Sequence, residues 1–299
     1  MGVLINILEQ GLLFSLVSIG VYITYKILDF PDLSVDSTFP LGAAISAALL
    51  VKGVNPWITI IIATIGGALA GGITAFLHVK LKITNLMAGI LVMIGLYSIN
   101  LRIMGKANIP LFNTPNLFKV AIPAVLIILI MVIVVKILLD LYLKTKSGFL
   151  LRAVGDNEQV VSSLGVNKDV VKVIGLMISN GLVALAGALT AQYQGFSDVG
   201  MGTGTVVMGL AAVIIGCSLF ERISFLKVTT LSIFGAIIYK AAIAIVLKLG
   251  LNANDLKLMT AIIVVIALCS NSGVFKFKKK PVKEGGAVDV KSETTVESI

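Results

Sequence analysis

Residues 144–170 read Lys-Thr-Lys-Ser-Gly-Phe-Leu-Leu-Arg-Ala-Val-Gly-Asp-Asn-Glu-Gln-Val-Val-Ser-Ser-Leu-Gly-Val-Asn-Lys-Asp-Val, a polar island between two long apolar runs, 118–143 and 170–194. Apolar runs of about twenty residues recur outward from it in both directions, the length that crosses a bilayer core as a helix. They lie near 4–28, 56–78, 82–104, 118–143, 170–194, 203–219, 223–249 and 255–271. A further apolar piece, 41–53, is too short to cross alone and follows a proline-broken polar stretch. The expected fold is all-α: a polytopic helical membrane protein of about eight spans plus one short interrupted helix. The sequence lacks the alternating ten-residue strands of an outer-membrane barrel.

Composition agrees with this class. Hydrophobic residues make up 58% of the chain, charged residues 13%, and the mean hydropathy is +1.05; a soluble domain carries about twice that charge. The first run, 4–28, has no basic residue before Lys26 and no small-residue cleavage site after it, so it reads as a retained span rather than a signal peptide. The net charge of +9 is placed by topology and not by nucleic acid. If 41–53 reaches the outer face, sixteen of the 24 Lys and Arg fall on the side of the island. Six fall on the other (Lys52, Arg102, Lys106, Lys119, Lys248 and Lys257), with Lys136 and Lys240 inside spans. The positive-inside rule then places the island and the C-terminus in the cytoplasm of a cell membrane protein whose N-terminus faces out.

Residues 1–277 are expected to form the membrane domain. The segment 278–299, opening on Lys278-Lys279-Lys280, has too little apolar content to fold and is expected as a disordered cytoplasmic tail. Its lysines set topology or lie against anionic membrane lipids. Cys217 and Cys269 fall in apolar runs without metal-ligand spacing and are assigned to packing. His78, beside Lys80 and Lys82, has no carboxylate or cysteine nearby in sequence to make a metal site or proton relay.

Within the island, Asp156-Asn157-Glu158-Gln159 is a helix start, with Asp156 as cap and Gln159 three residues on in the manner of a capping box. Leu164-Gly165 is a stop, Gly165 being able to take the left-handed conformation. The helix between is about two turns and marginal alone in water. Val160, Val161 and Leu164 give it an apolar face to bury. Gly148 and Gly155 free the approach, and Arg152, Asp156, Glu158 and Lys168 supply rim charge. Two readings follow from the residues: an ordinary basic loop, or a surface for a docking partner.

Leu151-Arg-Ala-Val-Gly-Asp-Asn and Ser163-Leu-Gly-Val-Asn-Lys resemble the coupling loop of ATP-binding cassette permeases of the branched-chain amino acid type. Three further stretches resemble a narrower group, the tryptophan/tyrosine-type permeases: Leu28-Asp-Phe-Pro-Asp-Leu-Ser-Val-Asp, the segment from Ser179 to Gly202, and Leu251-Asn-Ala-Asn-Asp-Leu-Lys-Leu. The resemblance covers nearly all of residues 10–271 and implies the membrane subunit of an importer for an aromatic or other hydrophobic amino acid. It implies a cytoplasmic ATPase receiving Arg152, Gly155, Asp156, Asn157, Glu158, Val160, Val161, Leu164 and Gly165. It also implies a second permease copy, as a homodimer, and an extracytoplasmic substrate-binding lipoprotein.

The chain has no Gly-x-x-x-x-Gly-Lys-Ser/Thr phosphate loop, so ATP hydrolysis falls to a partner; no catalytic residue, cofactor or metal is expected. The Gly200, Gly202 and Gly204 run follows no strand and reads as a bend or close helix contact. For a substrate path, Asp29, Asp32 and Asp36 lie in the polar stretch 29–40 before the short apolar piece, where transporters unwind helices; a plain loop is the other reading.

Asn180 shares a face with Ala184, Gly187, Ala188 and Ala191, which serves close packing or the path. Gly66, Gly67, Ala70 and Gly71 form a similar packing stripe. Gln192 and Gln194, near the outer end of their span beside Asp198, are placed to meet an arriving substrate or the protein that delivers it. Glu9 and Lys240 lie at nearly matching depths, so they pair, Lys240 meets a substrate carboxylate, or both snorkel; Lys136 snorkels. The competing class, an ion-coupled secondary transporter or channel, places carboxylates deep in the membrane, whereas the acids here cluster at ends and loops.

Overall fold

A computed structural model describes residues 2–119, 122–220, 227–248 and 256–271. The expected tail, 278–299, lies outside the described residues, as does the side chain of Cys269. The first helix, α1 (Gly2–Tyr22), ends in a π turn, Ile23–Ile27. There follow α2 (Val35–Val51), α3 (Pro56–Val79), α4 (Asn85–Met104), β1 (Asn108–Pro110), α5 (Ala124–Tyr142), α6 (Lys146–Asp156), α7 (Glu158–Ser163) and α8 (Lys168–Gln194). The chain continues through β2 (Phe196–Asp198), a 3-10 turn (Val199–Gly202), α9 (Thr205–Phe220), α10 (Val228–Lys248) and α11 (Leu256–Asn271). Among the described residues, seven helices are long and apolar enough to cross a membrane. The eighth expected span, 255–271, is present as the 16-residue α11.

Local chemistry sets the boundaries. Asn55 caps α3 by accepting the Trp57 N–H, with Pro56 in the first helical position where its missing N–H costs nothing. Gly105 and Gly195 end α4 and α8 in the left-handed conformation. β1 and β2 pair antiparallel with Ile109 opposite Ser197, which ties the α4–α5 connection to the end of α8.

Packing depends on small residues. The longest helix, α8, lies along α3 and α2, and α1 packs on α8, α9 and α10. A Cβ added at Gly42 would strike the backbone of Ala184, and one at Gly187 would strike the carbonyl of Phe39. These positions let α2 and α8 approach backbone to backbone, and Gly67 and Gly71 do the same for α3 and α8. Both small-residue stripes therefore face each other, as a packing reading requires. Outward faces are apolar: Ile61, Ile65 and Leu69 of α3 and Ile130, Ile137 and Leu138 of α5 are exposed, as suits hydrocarbon rather than water.

Two expectations are corrected here. The interrupted helix starts at Val35 rather than 41, so half of the polar stretch is helical, and Pro40 sits inside it. Thr38 donates to the Ser34 carbonyl. The Asp36 carboxylate accepts the N–H groups of Gly204 and Val206 at 2.9 and 2.8 Å, serving as cap for α9 from another helix. The second correction concerns the island, where two helices form instead of one.

Candidate functional site

In the 144–170 segment, Thr145 caps α6 by accepting the Gly148 N–H at 3.3 Å. The α7 cap is Asn157, not Asp156: its side chain accepts the N–H groups of Gln159 and Val160 at 3.0 and 3.4 Å. Asn157 is extended (φ −160°), which breaks the chain between α6 and α7 and gives its amide the reach that Asp156, the last residue of α6, lacks. Gly165 ends α7 with φ +73°. The pair is anchored from inside. Leu151, Val154 and Val161 are buried, and a Cβ at Gly155 would strike the carbonyl of Ile27 in the π turn.

The apolar face expected of α7 is therefore divided. Val161 points into the body, while Val160 and Leu164 are 52% and 67% exposed; Phe149 of α6, at 68%, joins them. Glu158, read as rim charge, is engaged within the chain. It pairs with Lys172 at 2.5 Å and Lys168 at 2.9 Å, and those lysines, Lys172 foremost, hold its carboxyl below the ordinary range. Lys172 also lies 3.4 Å from Nε2 of His78, whose ring meets Phe30 edge-on at 5.2 Å. His78, unassigned in sequence, thus joins α3 to the island. Arg152 and Asp156 are exposed and border a cleft of about 560 Å³ with Tyr22, Lys26, Asp140 and Lys227.

Asp140 is the residue that sequence reasoning missed. It accepts from Lys136 at 2.8 Å, Lys227 at 2.9 Å and Thr229 at 2.8 Å, binding α5 to the start of α10. Its spacing of four from Lys136 on one helix was a legible signal. Lys136 is accordingly an ion-pair partner as well as a residue near a span end.

The five expected path residues separate into four places. Asp32 and Asn180 come together in a buried knot. Asn180 Nδ2 donates to Asp32 Oδ2 at 2.8 Å and to the Leu176 carbonyl at 3.1 Å. The Ser34 N–H donates to Asp32 Oδ1 at 2.9 Å, and its hydroxyl donates to Asn180 Oδ1 at 3.2 Å. Asp32, a path candidate in sequence with a plain loop as the other reading, is thus packed against the middle of α8. Asp36 caps α9, and Asp29 is exposed with φ +50°. At the opposite end of the bundle, Lys240 Nζ lies 4.7 Å from the centroid of the Phe14 ring.

Lys240 and Glu9 each make a different contact from the pairing expected of them. Glu9 Oε2 accepts from the Tyr193 hydroxyl at 2.6 Å. Gln192, expected to meet substrate, is buried and used: it accepts the Leu117 N–H at 3.2 Å and donates to Ser46 and Thr59 at 3.1 and 3.2 Å. The glycine run gives the bend and the close contact expected of it. Gly204 has φ +82°, and a Cβ at Gly202 would strike the Asp36 carbonyl. Among the described residues, no group of three His, Cys, Asp or Glu side chains is placed to hold a metal.

The family described as branched-chain amino acid transport system, permease component, matches residues 3–271. The chain belongs to that family. It is 48% identical over 290 residues, 97% of this chain and 98% of the other, to a tyrosine transport system permease protein of Clostridioides difficile. It is 37% identical to an uncharacterized protein of Rickettsia prowazekii, over 90% of this chain and 98% of that one. A fructose import permease protein of Bifidobacterium longum is 26% identical over 89% of this chain and 76% of its own length. No solved structure matches the chain. The protein is a multi-pass permease subunit of an ATP-binding cassette transporter and not an enzyme; such permeases work with an ATPase and a substrate-binding partner. An ion-coupled secondary transporter is not favoured.

Proposed function

We propose that this chain is the membrane half of an importer for an aromatic amino acid, with tyrosine the leading cargo. The single observation carrying the coupling half of this reading is the divided face of α6 and α7. Val161, Val154 and Leu151 hold the pair to the body while Phe149, Val160 and Leu164 stay exposed. Exposed apolar residues on a capped helix pair anchored from its inner face suit a protein groove better than water. The occupant is a cytoplasmic ATPase of the cassette class, which the absence of a phosphate loop in this chain also requires.

The tail and the 144–170 segment lie in the cytoplasm on this reading, supported by the excess of Lys and Arg on that side. Two copies of the permease, as a homodimer in the lipid bilayer, pair with two ATPases, and an external lipoprotein delivers cargo. Nucleotide-driven closure moves α7 and rocks the spans between two states. Tyrosine is supported by the name of the 48% identical relative.

The test is copurification with the ATPase and uptake of radiolabelled tyrosine in proteoliposomes. Val160→Asp with Leu164→Asp should abolish ATPase association and uptake while leaving the permease folded, because both residues are exposed. Retained association would refute docking at α7.

A further inference from the structure

The geometry points to the far-end cleft around Lys240 as a recognition site for the carboxylate and ring of a single amino acid. This rests on the importer reading above, which places that end outside. Helices α1, α2, α8, α9 and α10 converge there on a space of about 120 Å³ lined by Gln10, Phe14, Phe39, Tyr193, Met208 and Lys240.

Phe14 and Phe39 are each 7% exposed and form an apolar wall; Phe14 is backed by Tyr239 at 6.0 Å between ring centroids. Tyr193 is braced edge-on by Phe118 at 5.7 Å and by its bond to Glu9. The aromatic walls are therefore held in place before any ligand arrives, which limits the ordering cost of binding.

The cleft has one feature that packing does not explain. Among the described residues, no carboxylate forms an ion pair with Lys240, although it lies within a membrane-spanning helix, where a charge is costly. A ring face at 4.7 Å offsets that cost only in part. Lys172, which is buried, has Glu158. A ligand carboxylate placed at Lys240 would supply the missing partner, with the ligand's side chain against Phe14, Phe39 and Tyr193.

The space is small beside the ~300–1,000 Å³ of pockets for drug-sized ligands, so the ligand is one amino acid rather than a peptide. Tyr193, which lines the cleft, donates its hydroxyl to Glu9, a carboxylate of opposite sign to the ammonium of a zwitterion.

Purified full-length permease in lipid nanodiscs, titrated with L-tyrosine and with tyramine under saturation-transfer NMR, tests this. Tyramine keeps the ring and ammonium and lacks the carboxylate. Wild type should prefer tyrosine by about tenfold, the loss of one charge-assisted contact. Lys240→Met should abolish that preference, and Lys240→Arg should restore it. Equal binding of the two ligands by wild type, no binding of either, or a preference surviving in Lys240→Met overturns the proposal. Uptake by the assembled transporter separates the two readings. A Lys240-dependent preference in the nanodisc, with no uptake of aromatic amino acids, overturns the cargo assignment alone. Aromatic uptake without that preference overturns the cleft alone.

Discussion

Two ionisable side chains inside the bundle are treated in opposite ways. Asp32, 3% exposed, has both oxygens occupied, by Asn180 and the Ser34 N–H. Lys240 has a benzene ring and an open cleft. A buried carboxyl bonded across to a second helix holds the two segments in register, and breaking the bond leaves a buried polar group without its partner. A cation left with a weak partner fixes little, because little is lost when it goes. The difference separates a structural knot from a surface open to a ligand.

The comparison can be broken most forcefully through the packing that surrounds the knot. Gly187→Val places side-chain atoms on the Phe39 carbonyl and drives α2 from α8, costing about 3 kcal/mol. Size-exclusion chromatography in detergent should show aggregated or absent protein. Next, Asn180→Leu removes the donor to Asp32 and the acceptor for Ser34, with a loss of about 2–3 kcal/mol visible as a lower Tm. An unchanged melting curve would mean that the knot is not structural.

Lys240→Met should shift stability by less than about 1 kcal/mol, and upward if anything, since an apolar side chain of similar length replaces a charge. A large loss there would erase the distinction between the two sites.

The smallest effect lies at Glu158. Its carboxyl is held below the ordinary value of 4.5 by Lys172 and Lys168, so its contribution is present above that value. It disappears as pH falls through the lower folded-state value. At 39% exposure solvent screens the pairs, and Glu158→Gln should cost about 0.5 kcal/mol at pH 7 and less than that at about pH 3. Thermal melts of both proteins at the two pH values measure this.

The spans were legible because a bilayer demands about twenty apolar residues whatever their neighbours. The start of α2 was not. Asp32, Ser34, Asp36, Ser37 and Thr38 carry the composition of a loop, yet Asp36 caps a helix that begins 169 residues later and Asp32 meets Asn180 at a separation of 148. No local pattern announces partners that distant. In the island, Gly165 was readable as a stop because the left-handed turn is a property of one residue. The choice between Asp156 and Asn157 as cap depended on where α6 ends, and Gly155 against the Ile27 carbonyl decides that. Glu9 and Lys240 were matched by depth alone; depth gives height along a helix and not the side it faces.

The π turn at Ile23–Ile27 places one more residue in its turn than an α-helix holds. Wound as an ordinary α-helix instead, the same residues would turn everything after them by a further ~100°, with a rise of ~1.5 Å. Phe30 would swing off His78, and Asp32 would swing off Asn180. The extra residue acts as a phase setting between the first span and the knot, and α6 rests its Gly155 on that same turn. A twist entering from α6 and α7 would therefore reach the bundle's interior as rotation about the axis of α1.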